Sequence, residues 1–383
     1  MQKNIIFVDG SNLTGSGASI VGLNLLKYLP ESLPNCNFIY YLPSNSKFES
    51  LTQISNVRKL YRDFSGTKLN WLSRLFDLHF RIPYLVKKFD VDLCLCLGDI
   101  APIKLSCNRI IFVHQSMLVE EQKSFKIGSS WSPLKRKYLL WHFSRSLRDL
   151  KALIVQTPIM ASKLSKKYRF GNEKIRIISQ PIPEHILYAK KQYDYQEILK
   201  AGEKTKLLFL ASYYPHKNHQ ILSAVINEIK IRGLESDIQI FLTLSEKSKN
   251  ISCELLNLIR QNKKLIANLG EIPMDMVASV LQSSDALFLP TLTESYGLIY
   301  IEAMACKKPI LTSDLDFAHW MCGDYAYYFD PNSAVSIVNA IEKMRNNPQR
   351  NYNEIALKRL STLPKDWQTV ASSFSSVISE FLQ

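Results

Sequence analysis

The sequence holds no C-x-x-C pair, no cysteine–histidine cluster at zinc spacing, and no apolar run of about 18 residues or more. These absences speak against a structural metal, a disulfide framework and a membrane-spanning helix. The seven cysteines, Cys36, Cys94, Cys96, Cys107, Cys253, Cys306 and Cys322, are odd in number and scattered. Cys94 and Cys96 alternate with leucines between Val91 and Leu97, the pattern of small core residues in a strand. Internal repeats and low-complexity segments are missing, as are zinc-finger and RNP-like runs. The chain enters a strand at Asn4–Val8 without a secretory-type leader, so a cytoplasmic location is expected.

Acidic residues are also in short supply, with 34 Asp+Glu against 48 Lys+Arg and a formal charge of +14. A charge of this size attracts anionic partners. It is unevenly spread. Between Lys123 and Lys151 stand eight cations (Lys123, Lys126, Lys135, Arg136, Lys137, Arg145, Arg148, Lys151) and one acid, Asp149, interleaved with Phe125, Trp131, Tyr138, Trp141 and Phe143. Arg58 to Asp90 is similar, with Trp71, Phe76, Phe80 and Tyr84 among its basic residues. Such mixtures suit an anionic membrane surface or nucleic acid, or else a solvated cationic face over core rings. Without a nucleic-acid module, a membrane is the better functional partner and nucleic acid is not expected. The expected location is then peripheral, on the inner face of the plasma membrane.

With 383 residues and 46% hydrophobic content, the chain is long enough for two ordinary domains. Apolar runs at Ile5–Val8, Phe38–Leu42, Leu93–Leu97, Ile110–Val113 and Leu153–Val155 alternate with longer helical or polar stretches. A second series runs through Leu207–Leu210, Ile238–Leu242, Leu265–Leu269, Ala286–Leu289 and Ile310–Leu311. This is the βα alternation of parallel sheets. Gln180-Pro181-Ile182-Pro183-Glu184 reads as the linker, because neighbouring prolines resist helix and sheet. The expected fold class is α/β, with two Rossmann-like doubly wound domains over residues 1–180 and 181–365 and a terminal helix over 366–383 carrying Val370, Phe374, Val377 and Phe381.

Two loops carry the candidate chemistry. Asp9 to Ser19 follows the first strand, includes Gly15 and Gly17, and leads into a helix with Val21, Leu25 and Leu29. Glycines at such a turn let backbone amides approach phosphate. A dinucleotide reading needs an acid after the second strand, where the chain has Pro43, Ser44 and Asn45, which argues against NAD. In the second half, the strand Ala286–Leu289 ends at Pro290, and Glu294 and Glu302 lie eight positions apart around Ser295, Tyr296 and Gly297. Amides at the start of the following helix, with Gly297 permitting close approach, suit a diphosphate. If the intervening residues are helical, the two carboxylates lie roughly 12 Å apart along it, a reach suited to a sugar and a ribose.

The segment E-S-Y-G-L-x-x-x-E-A-M-A-C-x-x-P resembles the E-x7-E signature of the family 4 retaining glycosyltransferases, which have the GT-B fold. Asn268 to Ile272, Thr312-Ser313-Asp314, Gly323 to Ala326, Phe329-Asp330-Pro331, Leu208 to Asn218, Val155-Gln156-Thr157 and Lys174 to Ile178 are similar to that family in order and character. The chain departs at Ser212, where Arg is usual five residues before Lys217, at Lys307, which replaces a usual Gly, and at Trp320, where Glu is common. One of two expected phosphate-binding cations is therefore missing.

The resemblance implies two domains facing across a cleft, the terminal helix crossing back to the first. It implies transfer of a sugar from a UDP- or GDP-sugar to a hydroxyl of a glycan or polyprenyl-linked glycan in cell-surface polysaccharide or O-antigen synthesis, with no cofactor and no metal. Glu294, His114 and Lys217 would be catalytic. Gly15, Gly17, Ser212, Lys217, Gly270, Ile272, Ser295, Tyr296, Gly297, Leu298 and Glu302 would bind the donor, with Glu302 on the ribose and Gly270 to Ile272 at the base. A nucleotide-sugar epimerase of the same fold and a non-catalytic basic scaffold are the alternatives.

Overall fold

A computed structural model describes residues 3–13, 16–44, 46–49, 51, 54–62, 70–120, 133–189, 201–245 and 251–382. The chain divides into two compact units. One takes the residues up to Val119, the stretch ending at Pro181, and those from Pro364 onward; the other takes Ile182–Leu363.

The first unit is built on a seven-stranded sheet in the order β3-β2-β1-β4-β5-β6-β7. Its strands are β1 (Asn4–Asp9), β2 (Cys36–Pro43), β3 (Val57–Arg62), β4 (Leu93–Cys96), β5 (Asn108–Phe112), β6 (Ala152–Val155) and β7 (Ile175–Ile177). Every neighbouring pair is parallel; in the centre Val8 lies opposite Tyr40 on one side and Leu95 on the other. Parallel strands are covered on both faces, which is why Ile6-Phe7-Val8 and Ile110-Ile111-Phe112 are continuous apolar runs and fully buried. The second unit has a six-stranded parallel sheet in the order β10-β9-β8-β11-β12-β13. Its strands are β8 (Thr205–Phe209), β9 (Ile238–Leu242), β10 (Ile266–Asn268), β11 (Ala286–Leu289), β12 (Ile310–Ser313) and β13 (Ala326–Phe329).

Three strands were not expected from apolar runs: β3, β7 and β13. All three are sheet edges. β3 reads Val-Arg-Lys-Leu-Tyr-Arg and stays partly exposed, as charged edge strands do, so it lacks the apolar signal of a central strand. β7 has three residues with Arg176 in the middle.

The strand order reverses between β1 and β4 in the first unit and between β8 and β11 in the second. In open parallel sheets the loops at such a reversal diverge beyond the carboxyl ends of the strands and leave a crevice for ligands. The helix Ser16–Ser32 follows β1 and buries Val21, Leu25 and Leu29. The helix Trp367–Ser379 belongs to this first unit although it comes last in the chain. It is capped by Asp366, whose side chain accepts from Thr369 N–H at 2.8 Å, and it packs on the Ser16–Ser32 helix, where Ser375 Oγ donates to Ser32 O at 3.0 Å. Phe381 lies beyond the end of that helix. Between β3 and β4 runs a helical segment of three parts: Asn70–Phe76, a π turn Asp77–Arg81 in which Ile82 N–H reaches back to Asp77 O, and Ile82–Lys88.

Candidate functional site

The reversal between β8 and β11 gathers the strongest candidates. After β8 the chain passes exposed Ser212 and makes a tight 3₁₀ turn, Pro215–Lys217, closed by Asn218 at φ 62°. Buried Asn218 donates through Nδ2 to Pro331 O at 2.8 Å, fixing the turn. After β11, Pro290 ends the strand and the loop doubles back: Leu292 N–H donates to His216 O at 2.7 Å and Ser313 Oγ to Thr291 O at 2.6 Å. The two loops are thereby stitched together. Lys217 Nζ meets Glu294 Oε1 at 2.5 Å, with the two side chains only 16% and 12% exposed. Thr291 Oγ1 lies 3.0 Å from His216 O and 3.2 Å from Glu294 Oε1, and its single proton serves one of them at a time.

The positive charge of this loop rests on Lys217. Burial, reinforced by Lys217 beside it, pushes His216 down to about 4. The same two causes push His219, stacked on Phe209 at 4.3 Å, down to about 3. Both rings are neutral at physiological pH and add no charge to this loop.

The next element is the helix Leu298–Ala305, capped by Gly297 at φ 79° and ψ 55°. A side chain there would be strained by the backbone and would meet the Tyr300 ring, whose Cδ2 lies 2.6 Å from where a Cβ would stand. Tyr300 is fully buried and hydrogen-bonds Thr312 Oγ1 at 2.8 Å, which holds the helix start above β11 and β12. First-turn N–H groups have no partner within the helix and carry the positive end of its dipole. Ser295 and Leu298 are partly buried, whereas Tyr296 is 4% exposed with its ring 6.3 Å from that of Trp320; it forms the wall of the loop.

Glu302 differs from the expectation in two respects. The helix begins only at Leu298, so the separation from Glu294 is not a straight helical run. Its residue is also 8% exposed, and Oε1 sits 3.2 Å from His185 Nε2 of the short helix Glu184–Leu187, close but not aligned as a hydrogen bond. His185, next to the proline linker, had no sequence signal; nor had the seat that Thr291 provides for Glu294.

Gly270 (φ 81°) and Ile272 follow β10, with Ile272 packed against the core. Asn268 braces this end of the sheet, accepting from Leu244 N–H at 2.8 Å and donating to Leu244 O at 3.1 Å. β10 is separated from β11 by β9 and β8, so with strands about 4.8 Å apart the two loops stand roughly 14 Å from each other across the sheet.

In the first unit the reversal between β1 and β4 holds a buried ionic knot. Asp9 accepts from Ser11 Oγ at 2.7 Å and from Arg74 Nη2 at 2.9 Å. Gly15 lies outside the described residues. Gly17 sits exposed in the first turn of its helix, and a Cβ would meet nothing within 4 Å, so its space is not needed by the fold. His114 follows β5; its backbone N–H donates at 2.6 Å to Asp99 Oδ1, which also accepts from Gln115 N–H at 3.0 Å. Burial drives Asp99 up to about 6 against those hydrogen bonds, and burial drives His114 down to about 4. The imidazole of His114 is therefore neutral, its ring 4.0 Å from that of Phe112 and its Nε2 unpartnered.

Two parallel-sheet Rossmann-like domains in one chain, with a charged loop pair at the second sheet's reversal, define the GT-B class of fold. Residues 191–359 match the model of the family "Glycosyl transferases group 1", so the second half carries a domain of that kind. Among curated proteins, the chain is 20% identical over 235 residues to the O-antigen chain mannosyltransferase RfbU of Salmonella typhimurium, covering 61% of this chain and 62% of that protein. It is 25% identical over 209 residues to an uncharacterized glycosyltransferase of Methanocaldococcus jannaschii, covering 51% and 55%. The chain thus spans little more than half the length of these relatives. Among solved structures it is similar to a glycosyltransferase from Rickettsia africae, with TM-score 0.71, 15% identity and 100% of each chain covered. It is also similar to Anabaena HepE in complex with UDP and glucose, with TM-score 0.69, 16% identity and 99% and 100% covered.

Proposed function

We propose that the protein is a retaining, metal-independent glycosyltransferase of the family 4 type. It would move a sugar from a UDP- or GDP-sugar to a hydroxyl of a lipid-linked or growing glycan in cell-surface polysaccharide or O-antigen synthesis. The observation that carries this reading is the Lys217–Glu294 pair at the β8–β11 reversal, 2.5 Å across, beside a helix start whose cap at Gly297 admits no side chain. The group 1 match, the mannosyltransferase activity of RfbU and the UDP held by HepE support it.

The reaction needs help for a leaving group. As the bond from the anomeric carbon to the diphosphate oxygen breaks, charge grows on the phosphate oxygens. The ammonium of Lys217, whose three donors can serve Glu294 and phosphate together, and the amides of Ser295 to Gly297 stabilise it. The acceptor oxygen then bonds to the anomeric carbon on the face the diphosphate leaves, and its proton passes to a departing phosphate oxygen, so configuration is kept. In this reading Lys217 and the helix start supply the positive field for which other enzymes use a metal. Glu294 orients the sugar hydroxyls, and Glu302 takes the ribose once released from His185. Gly270 and Ile272 would lie toward the base.

Heat unfolding of the protein with a panel of UDP-, GDP- and ADP-sugars tests this directly. One nucleotide class should raise the midpoint, and the anomeric configuration of the transferred sugar, read by NMR, should match that of the donor. No shift with any of them leaves the proposal without a site, and an inverted product removes the retaining step.

A further inference from the structure

The segment 70–88 buries Leu78, Ile82 and Val86 in the core yet leaves large rings outside. Its one acid, Asp77, is fully buried, as is nearly all of Arg74, while Phe76, Phe80 and Tyr84 are 53%, 64% and 62% exposed. Water normally drives rings inward and carboxylates outward, so a rigid arrangement must oppose that tendency. Arg62 Nε meets Asp77 Oδ2 at 2.5 Å, Tyr41 OH donates to Asp77 Oδ1 at 3.1 Å, and Arg74 is tied to Asp9 at the end of β1. With Asp77 and Arg74 locked into the unit, Phe76, Phe80 and Tyr84 are left on the outer face beside exposed Arg81, Lys87 and Lys88.

The helix Pro133–Ser146 extends this surface. His79 Nε2 and Tyr138 OH are hydrogen-bonded at 2.9 Å, the rings of Tyr138 and Trp141 are 5.8 Å apart, and Trp141 is 48% exposed. Arg81, Lys87, Lys88, Lys137 and Arg145 are exposed on the same two segments, and no acid lies in either of them besides buried Asp77. Lys123, Phe125, Lys126 and Trp131 lie outside the described residues, as does the ring of Trp71.

We propose that this face is a docking surface for an anionic lipid bilayer, the rings entering the interface and the cations meeting the headgroups. Charge complementarity selects that occupant. A second copy would bring two cationic faces together, which like-charge repulsion opposes. Several ring faces are already covered by cations: Arg81 lies over Phe76 at 6.0 Å, Lys88 over Tyr84 at 5.8 Å and Arg145 over Trp141 at 5.6 Å. Bases of a nucleic acid need such faces open for stacking. The inference stands apart from the sugar-transfer reading, since it uses none of those residues.

The test is co-sedimentation of the full chain with vesicles of phosphatidylcholine alone or mixed with phosphatidylglycerol, at low and high salt. Binding to the anionic vesicles should be about 10-fold tighter or more than to the neutral ones and should weaken with salt. The triple variant Phe76→Ser, Phe80→Ser, Tyr84→Ser should lose about 10-fold, as should Lys87→Gln, Lys88→Gln, Arg145→Gln. Both variants should keep the natural heat-unfolding midpoint and nucleotide protection, which separates failure of this surface from failure of the donor site. The proposal falls if anionic and neutral vesicles bind alike, or if the serine variant binds as the natural chain does. It also falls if the face instead drives dimerisation in light scattering, or binds single-stranded RNA while leaving vesicles free.

Discussion

Glu294 and Glu302 were both legible as a pair from their spacing, yet the structure gives them different surroundings: Glu294 faces Lys217 at 2.5 Å and Glu302 faces His185 at 3.2 Å. Their replacements should therefore differ. Glu294→Gln should cut kcat/KM by about 10² or more by disorienting the reacting ring. Glu302→Ala should raise the donor KM and leave kcat nearly unchanged; steady-state kinetics with both variants checks this, and identical effects would contradict it. His142 offers a separate test. It is fully buried with neither ring nitrogen partnered, and burial pushes it down to about 4, with His79 and Arg74 adding to the effect. Its native pKa is depressed, so its stabilisation is complete above pH ~6.5 and is lost as pH falls toward 4. The loss approaches about 3 kcal/mol at the lower end. His142→Phe keeps the ring contacts and removes the titrating group, so the fall in unfolding midpoint between pH 7 and pH 5 should be smaller than in the natural chain.

Among the elements, the helix Leu298–Ala305 depends most on one residue. Gly297→Ala imposes a left-handed strain of about 1–2 kcal/mol and pushes a methyl into the buried Tyr300 ring. A destabilisation of about 2–3 kcal/mol is expected, seen as a lower unfolding midpoint together with weakened nucleotide protection. An unchanged midpoint would mean the cap is not under constraint. The importance of this glycine was visible in the sequence through its place after Glu294. The reason for it was not, because Tyr300 and Thr312 lie on separate elements. Central strands were equally legible as apolar runs, whereas β3 was not: an edge strand keeps one side wet and tolerates Arg58 and Lys59.

At the scale of the whole molecule, the final helix joins the first unit even though the second unit intervenes in the chain. It buries Trp367, Val370, Phe374, Val377 and Ile378, each worth about 1.5–3 kcal/mol when taken from water. A chain ending at Leu363 should lose the stability of the first unit selectively. Limited proteolysis should then degrade residues 1–180 rapidly while the fragment from 182 to 363 persists, and uniform resistance of both would argue against this division of the chain.

The sequence by itself determined the alternation of strands and helices, the two-domain organisation and the loops that carry Glu294, Glu302 and Lys217, because period, proline breaks and residue chemistry are local properties. Only the tertiary structure decided that Lys217, 77 positions earlier, meets Glu294, that His185 stands against Glu302, and that Asp77 is buried while Phe80 is exposed. Those outcomes depend on which strands become neighbours at a sheet reversal and on which charges find partners across the fold, and neither is written in any one stretch of the chain.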